Sequence, residues 1–544
     1  MTVNLAKTPL TVTVITDTHY YSKKTGTKGK AYNAANAKSQ KLLKYSEELL
    51  RAAFKQIKED KRTDIVLLSG DTTNNGEIDA HEEFIEMLRD LKKSGKRVYV
   101  LTATHDYQDD GLTDSFVGNE KVKIPAAKRE QLYDMYKEFG PDEAIAVHRD
   151  SMSYVVQLAD GYRLFALNDD RNLSGKSGFS DECFEWIKAQ AEDARKNDQF
   201  ILAMTHHPLI APSPIYELIG KNDMLGDYET RRNELADLGI QFMLTGHTHV
   251  HDIDVITSDR GNTLYDIATA ATVGYPAPIR TIVLDPDVKM VSTTTDLITE
   301  TVDFDLEGKT LQEYLKYQLI GMVKDMIKAA GTDIPTLADM ATAMSIKKKL
   351  IYKIGWLIKP FAKKLNSLTI GKVAKLTRAE TGLKPEDYAD IADKSVVDFI
   401  CDLVVNLYGG EDLYSIDDNE YKITVGLLHI VDSVFAALHI KPRKLIKVAD
   451  SFTDFVEPLL HNSGIPSYDA ILPIRPFYKE GEQGPKPQKE KKPECSVKKS
   501  KKGVPIVVCG ILALIILLIP MLLVLGVGFV VNRIKYGKYI KENS

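Results

Sequence analysis

The stretch Gln241-Phe242-Met243-Leu244-Thr245-Gly246-His247-Thr248-His249 decides the fold of this chain. An apolar run of strand length is followed at once by a glycine and by two histidines on alternate residues. Two imidazoles just beyond the end of a buried strand are well placed to bind a metal ion. A single motif of this kind is weak evidence, since it can arise by chance. A lone histidine is also more often a packed residue than a metal ligand.

Four further segments repeat the arrangement, so chance is a poor explanation. They are residues 12–15 before Asp17-Thr18-His19, 65–68 before Gly70-Asp71, 98–101 before Thr104-His105-Asp106, and 201–204 before His206-His207. Adjacent strands of an open α/β sheet deliver the residues beyond their carboxyl ends into one crevice. The five motifs therefore predict one site. Carboxylates and neutral imidazoles together suit zinc, manganese or iron, whereas calcium prefers an all-oxygen shell.

The ordered motifs Asp17-x-His19, Gly70-Asp71, His105-Asp106, His206 and Gly246-His247-x-His249 resemble the calcineurin-like metallophosphoesterase superfamily. The resemblance implies an α/β fold, with two sheets packed face to face and helices outside. It also implies two divalent metal ions, with manganese, iron or zinc as the alternatives. In that arrangement, the first metal would be held by Asp17, His19, Asp71 and His249, and the second by Asp71, His206 and His247. Asp71 would bridge the two metals, and His105 would face the substrate as proton donor or phosphate partner.

The third motif departs from the family pattern at Thr104. The family usually has asparagine there, with its amide oxygen on the second metal, and a threonine hydroxyl is a shorter and poorer ligand. Thr104 is still the expected ligand at this position, and the alternatives are weak metal binding, an added water, or recruitment of Asp106. In the fourth motif, adjacent side chains of an extended chain point to opposite sides, so only one of His206 and His207 faces the site. The family pattern favours His206.

The expected chemistry is phosphoester hydrolysis. Two metals about 3.5 to 4 Å apart can generate a hydroxide and clamp a phosphate during in-line attack, without a covalent intermediate. The sequence has no Gly-x-Ser-x-Gly elbow, no P-loop and no dinucleotide-binding glycine motif that would favour another chemistry. Asp71 and His105 are the expected catalytic residues. His105 is a candidate general acid, and the alternative is that it only orients a ligand.

The chain of 544 residues predicts more than one domain. Residues 1–297 predict the metallophosphoesterase domain, with a hairpin around Ala159-Asp160-Gly161 and helices over 45–58, 81–93 and 181–196. Residues 305–475 predict a helical accessory domain. Within it, the basic segment 347–364 is interpreted either as a membrane-surface helix or, with more weight, as an ordinary solvated helix.

The carboxyl-terminal region predicts a membrane anchor. Residues 478–503 form a Lys/Pro-rich linker, residues 504–531 contain no charged side chain and predict one transmembrane helix, and residues 532–544 form a short basic tail. Lysines are more numerous before the span than after it, which predicts a single-pass protein with its large amino-terminal region in the cytoplasm. The first sixteen residues show no signal-peptide pattern.

Two functions follow from these observations. The first is a membrane-anchored dinuclear phosphoesterase that hydrolyses a phosphodiester or a phosphomonoester of a small molecule or a lipid-linked phosphate. The second is a catalytically weak relative that acts as a membrane-tethered phosphate-binding or scaffold protein, and Thr104 favours it. Nucleic acid is not expected as a partner, because the catalytic region has no basic stripe or aromatic platform. Oligomeric state and metal identity cannot be predicted from the sequence.

Overall fold

The computed structural model of the chain describes residues 8–36, 39–170, 177–213, 216, 221–285, 288–333, 335, 352, 367–410, 414–437, 439, 441–444, 449–460 and 465–485. Its strands, in chain order, are β1 (Leu10–Ile15), β2 (Ile65–Ser69), β3 (Arg97–Leu101), β4 (Leu112–Val117), β5 (Glu120–Pro125), β6 (Ala146–His148), β7 (Ser153–Ala159), β8 (Tyr162–Ala166), β9 (Phe200–Met204), β10 (Phe242–Thr245), β11 (Asp252–Thr257), β12 (Thr263–Ala268), β13 (Pro278–Asp285), β14 (Met290–Leu297) and β15 (Ala470–Pro473).

The helices divide into two groups along the chain. Those between the strands are Lys30–Asn36, Ser46–Glu59, Ile78–Lys93, Arg129–Tyr136, Asp181–Lys196 and Tyr228–Asp237. Those after β14 are Leu311–Thr332, Ile370–Leu376, Arg378–Thr381, Val396–Gly409, Asn419–Ala437 and Phe452–Leu460. Short 3-10 turns lie at Lys23–Thr25, Leu43–Tyr45, Lys137–Phe139, Pro141–Glu143, Lys221–Asp223, Pro385–Tyr388 and Pro442–Lys444.

Two mixed sheets form the centre of the fold. The first has the order β15-β14-β13-β1-β2-β3, and its strands β1, β2 and β3 are parallel. The second has the order β11-β12-β10-β9-β8-β7-β6, and β8, β9, β10 and β12 are parallel. Strands β4 and β5 form a separate hairpin. The carboxyl ends of both parallel sets are the edges from which the predicted ligands project.

The two sheets pack face to face around an apolar layer. Side chains such as Val12, Leu67, Leu164, Leu202 and Leu244 form this layer, and all five are fully buried. A second cluster lies between the first sheet and its outer helices, and a third joins the second sheet to helices that include those after β14. The predicted α/β sandwich with outer helices, followed by a helical region, is therefore confirmed.

The predicted local elements also form. Strands β7 and β8 make the expected antiparallel hairpin, and helix Asp181–Lys196 has the predicted bounds. The Ser180 side chain caps this helix by accepting the Cys183 N–H, with acidic residues in the first turn and basic residues in the last. Helix Ile78–Lys93 begins three residues earlier than expected, because the Glu77 carbonyl already accepts the His81 N–H at 3.0 Å.

Hydrogen bonds as well as apolar packing join the helical region to the sandwich. The Tyr408 carbonyl, near the end of helix Val396–Gly409, accepts the His251 N–H at 3.1 Å. Beyond the helices, β15 pairs with β14 at the edge of the first sheet. The boundaries 1–297 and 305–475 stay predictions, but one strand of the first sheet comes from after the helices.

No helix in the part of the chain that the structure describes is both long and apolar enough to span a bilayer. The predicted span 504–531 and the tail 532–544 lie outside the described residues. The linker lies outside them from residue 486 onward, and the basic segment 347–364 does so except for residue 352.

A buried histidine, His81, connects the first outer helix layer to the site loops. Its Nδ1 lies 2.8 Å from the Tyr136 hydroxyl, and its Nε2 lies 2.8 Å from the Asp106 carbonyl oxygen. Burial lowers the pKa of His81 from 6.5 to about 4. The unfolded chain therefore binds more protons than the folded chain between these two values, and stability falls as the pH is lowered through that window.

We expect the wild-type protein to lose about 1.5 kcal/mol more unfolding free energy than His81→Gln between pH 6.5 and pH 5. Urea denaturation at the two pH values measures this difference. The same substitution at the exposed His439 is the matched control. Equal pH dependence of wild type and His81→Gln would show that His81 does not contribute to the acid sensitivity.

Candidate metal centre

Four strand ends meet at one point of the sandwich. Asp17 and His19 follow β1, Asp71 follows β2, His206 follows β9, and His247 and His249 follow β10. The Asp17 N–H donates to the Gly70 carbonyl at 3.1 Å, and the Gly246 N–H donates to the His206 carbonyl at 3.0 Å. The loops after β1 and β2 are thus hydrogen-bonded to each other, as are the loops after β9 and β10. The residues predicted from separate motifs therefore lie close together.

The first ligand group consists of Asp17, His19 and His249, all of them buried. His249 Nε2 lies 3.2 Å from Asp17 Oδ1 and 3.0 Å from His19 Nε2. His19 Nε2 lies 3.6 Å from the same Asp17 oxygen. Three potential donor atoms therefore converge on one small volume.

The second ligand group consists of Asp71, His206 and His247. His206 Nε2 lies 3.2 Å from Asp71 Oδ2 and 3.2 Å from His247 Nδ1. Asp71 Oδ2 is also 3.8 Å from His19 Nε2, so this carboxylate faces both groups. Its other oxygen accepts the His105 N–H at 2.9 Å. Asp71 thus occupies the position that a bridging ligand requires.

The ligand backbone is held in an unusual conformation. Five of the six residues, Asp17, His19, Asp71, His247 and His249, have φ between 35° and 64°. The left-handed region is disfavoured for residues with a side chain and is found at sites where the surrounding structure enforces it. Five of the twelve described non-glycine residues with positive φ are therefore residues that would bind metal.

Glycines permit the close approach of the ligand loops. Gly70 has φ of 116°, and a Cβ atom there would lie 2.4 Å from His206 Nδ1. A Cβ atom at Gly246 would lie 2.4 Å from Asp17 Oδ2. Any larger residue at either position would push a ligand side chain away, which explains why both motifs contain glycine.

The charge states of the first group suit a metal. Burial alone would raise the pKa of Asp17, but His249 and His19 hold it well below its usual range. Burial lowers the pKa of His19 to about 4, and the positive charge of Lys41 adds to this effect. Asp17 is therefore ionised and His19 neutral at pH 7, which are the forms in which these side chains bind metal.

In the second group, burial would raise the pKa of Asp71, but His206 and His105 hold it well below the usual value. Burial alone lowers the pKa of His206, but the charges of Asp71 and Asp17 raise it to about 10. The same two carboxylates that stabilise a proton on His206 would stabilise a metal cation in its place.

The donor set fits two divalent cations. Asp17 Oδ1 is buried and accepts no well-aligned hydrogen bond from the described residues. The Nε2 atoms of His19 and His249 lie 3.0 Å apart, so the lone pairs of both can be directed at one cation. Mixed nitrogen and carboxylate ligands are typical of zinc, manganese and iron.

His105 lies beside the first ligand group rather than in it. Its ring meets the His19 ring edge-on, with centroids 4.9 Å apart. Its Nδ1 donates to the Asn74 carbonyl at 2.5 Å, which fixes the ring and leaves Nε2 as the other titrating atom.

Thr104 and Asp106 have different environments. The Thr104 hydroxyl is buried and has no hydrogen-bond partner among the described residues. Both oxygens of Asp106 accept hydrogen bonds, from the backbone of Thr72, Thr73 and Ala103 and from the hydroxyls of Thr72 and Thr73. Asp106 therefore holds two site loops together, and of the two residues Thr104 retains an unused oxygen.

His207 belongs to neither of the two ligand groups. Its N–H and its Nδ1 approach Asp169 Oδ2 at 2.9 and 3.2 Å. Its ring also packs on His247, with centroids 4.1 Å apart. His247 Nε2 lies 3.8 Å from Asp223 Oδ1, so His247 is oriented by neighbours on both sides.

Four residues of this neighbourhood were missed in the sequence. Asp169 follows β8 as Asp17 follows β1, so the same strand-end rule could have found it. Gln40, Lys41 and Asp223 lie in polar connections without any strand signal. Gln40 Nε2 contacts His249 Nδ1, an approach that depends on tertiary packing alone.

Comparisons with known proteins agree with this geometry. Residues 10–251 match the family described as calcineurin-like phosphoesterase, which confirms the resemblance in the sequence. A dimetal phosphatase from Danio rerio is similar, with 15% identity, a TM-score of 0.38, and coverage of 54% of this chain and 97% of that one. A purple acid phosphatase from yellow lupin (Lupinus luteus) seeds has 13% identity, a TM-score of 0.33, and coverage of 55% and 53%. No curated protein matches significantly. Because both TM-scores are below 0.5, the two structures carry no further argument.

We expect Thr104→Asn to strengthen binding of the weaker manganese ion about tenfold, because an amide oxygen reaches further than a hydroxyl. Titration calorimetry of the metal-free protein measures this change, and the exposed Thr301→Asn is the control. An unchanged affinity would mean that another group already fills the position.

Proposed function

We propose that the chain, whose residues 10–251 belong to the calcineurin-like phosphoesterase family, is a two-metal hydrolase of phosphoric esters. The observation that carries the proposal is the pair of ligand groups with Asp71 Oδ2 facing both. A packing role does not explain six polar ligand residues, of which five are buried and five have left-handed backbones.

The residues have distinct roles in this proposal. Asp17, His19 and His249 would hold one metal, His206 and His247 would hold the other with Thr104 as a further ligand, and Asp71 would contribute to both. When bound, two divalent cations supply positive charge for the phosphate oxygens and lower the pKa of the attacking water. The His105 N–H bond to Asp71 Oδ1 keeps the bridging carboxylate oriented.

His105 is the proposed general acid. Because its Nδ1 is bonded to the Asn74 carbonyl, a protonated ring presents its remaining proton on Nε2. That proton can pass to the leaving alkoxide as the ester bond breaks. The substrate is a phosphodiester or phosphomonoester, either on a small molecule or on a lipid.

A second candidate is a weakly catalytic relative that binds a phosphorylated ligand or acts as a scaffold. The observation that favours it is Thr104, whose hydroxyl replaces the amide that the family usually provides. Metal binding without turnover would support this alternative.

We also propose that the chain is a single-pass membrane protein with its large amino-terminal region in the cytoplasm. The support is in the sequence, where residues 504–531 contain no charged side chain and lysines concentrate before them. A basic segment beside a bilayer also attracts acidic lipid head groups.

The full-length protein in detergent should hydrolyse a chromogenic phosphoester only when manganese is added. Asp71→Asn should lower the rate by about 100-fold or more, because the charge shared by both metals is lost. The control is Asp134→Asn, the same change at a carboxylate that is 64% exposed. Metal-dependent rates that are equal in wild type and Asp71→Asn would contradict the proposed centre.

Alkaline carbonate extraction of cell membranes tests the anchor. The full-length chain should stay in the membrane pellet, whereas a chain ending at residue 503 should be released, because only the longer chain contains the apolar segment. Adding protease to sealed vesicles of known orientation then shows on which side of the membrane the large amino-terminal region lies. Release of the full-length chain by carbonate would rule out a spanning anchor.

A further inference from the structure

The side chain of Gln40 lies against the first ligand group. It is only 7% exposed, its Nε2 contacts His249 Nδ1, and its Oε1 has no hydrogen-bond partner among the described residues. The backbone that carries it is fixed, because the Lys41 N–H donates to the Ser39 hydroxyl at 3.1 Å and the Leu42 N–H donates to the Val273 carbonyl at 2.7 Å. Gln40 is therefore a buried amide held in contact with a ligand histidine.

Gly274, in the segment after β12, leaves room for this amide. A Cβ atom at Gly274 would lie 2.0 Å from Gln40 Oε1 and 3.1 Å from the Gln40 carbonyl oxygen. The φ of Gly274 lies outside the left-handed region, so the backbone conformation alone does not require a glycine there. A larger residue would displace the amide from His249.

The two nitrogens of His249 have different surroundings. Nε2 belongs to the first ligand group, at 3.2 Å from Asp17 Oδ1 and 3.0 Å from His19 Nε2. A neutral imidazole carries one proton, so when the Nε2 lone pair binds a cation the proton is on Nδ1. The Nδ1–H group is buried and needs an acceptor, and Gln40 is the residue that contacts it.

A primary amide can satisfy either form of this histidine. Its NH2 end donates to an unprotonated Nδ1, and its oxygen accepts an Nδ1–H once the amide has made a half turn about the Cγ–Cδ bond. Only the second arrangement leaves the Nε2 lone pair for a metal. The two ends of the amide are of similar size, so the space beside Gly274 admits both.

Two other ligand histidines contact groups that only accept. His206 Nδ1 lies 2.9 Å from the Ser69 carbonyl oxygen, and His247 Nε2 lies 3.8 Å from Asp223 Oδ1. Acceptors at these positions keep the proton on the nitrogen that faces away from the ligand group. By the same chemistry, the acceptor for His249 is the oxygen of the Gln40 amide.

We propose that Gln40 is a positioning residue for the first metal, and that its amide oxygen accepts the His249 Nδ1–H and so directs Nε2 at the cation. This inference rests on the proposed two-metal function and adds a residue that belongs to neither ligand group. Partners of this kind contribute about 10- to 100-fold to metal affinity.

Manganese binding tests the proposal without turnover. Titration calorimetry of the full-length protein should show one of the two ions bound about 10- to 100-fold more weakly in Gln40→Met than in wild type, because methionine has a similar length and no strong acceptor. The other ion should bind nearly as before. The exposed Gln157→Met is the matched control. Equal affinities in wild type and Gln40→Met would overturn this inference alone, whereas a wild type that binds no manganese would overturn the two-metal function as well.

Gln40→Glu distinguishes an acceptor from a structural role. The carboxylate has the same reach, keeps an acceptor oxygen and adds a negative charge, so this variant should bind manganese at least as tightly as wild type. Circular dichroism in the presence of a chelator should show the same fold in both variants and in wild type. A loss of affinity in Gln40→Glu as large as in Gln40→Met would show that the site needs the glutamine for another reason, and would overturn the proposal.

Gly274→Ala displaces the amide while Gln40 itself is kept. It should weaken the same manganese ion, because the added Cβ atom occupies the space of Gln40 Oε1. Gly321→Ala, at a helical glycine where a Cβ atom meets nothing within 4 Å, is the control. Manganese binding in Gly274→Ala equal to that of wild type would show that the amide is not needed against His249, and would count against the proposal.

Discussion

Two ionised carboxylates lie buried where the sheets meet, and the surrounding loops are arranged to stabilise them. A buried charge without partners costs several kcal/mol. Asp17 Oδ2 accepts the His247 N–H at 3.0 Å and the Thr16 hydroxyl at 2.8 Å, and Asp71 accepts the His105 N–H. The left-handed ligand residues and the glycines that admit close contacts both serve this arrangement. Stability is given up locally so that two cations can be held in a preformed centre.

The ligands at the strand ends could be predicted because the pattern that indicates each of them lies in the residues directly before it. An apolar run followed by glycine, aspartate or histidine specifies both the strand and the side on which its ligands emerge, as at β10 and His247. Gln40 and Lys41 could not be found in this way, because the sequence of a polar connection does not indicate which residues it packs against. Asp106 was identified as a possible ligand, but its oxygens are used by five hydrogen bonds from residues in two loops.

In the fold, strand β15 likewise could not be predicted from the sequence pattern. Its four residues, the last of which is Pro473, give little periodicity, and Ile471 is 71% exposed, so the hydrophobic pattern does not reveal an edge strand. Strand β15 pairs with β14, although the whole helical region lies between these two strands in the sequence. The helices are therefore inserted between two strands of one sheet, and the Tyr408 carbonyl supports the chain two residues beyond His249.

After β15, the chain continues beside the second sheet. Tyr478 exchanges hydrogen bonds with Asn262, and the Gly484 N–H donates to the Arg260 carbonyl. These partners lie just before β12, which runs parallel to β10, whereas the ligands follow the other end of β10. About 20 Å of strand separates the two ends. The candidate metal centre and the last described residues of the chain therefore lie at opposite ends of the parallel strands of the second sheet.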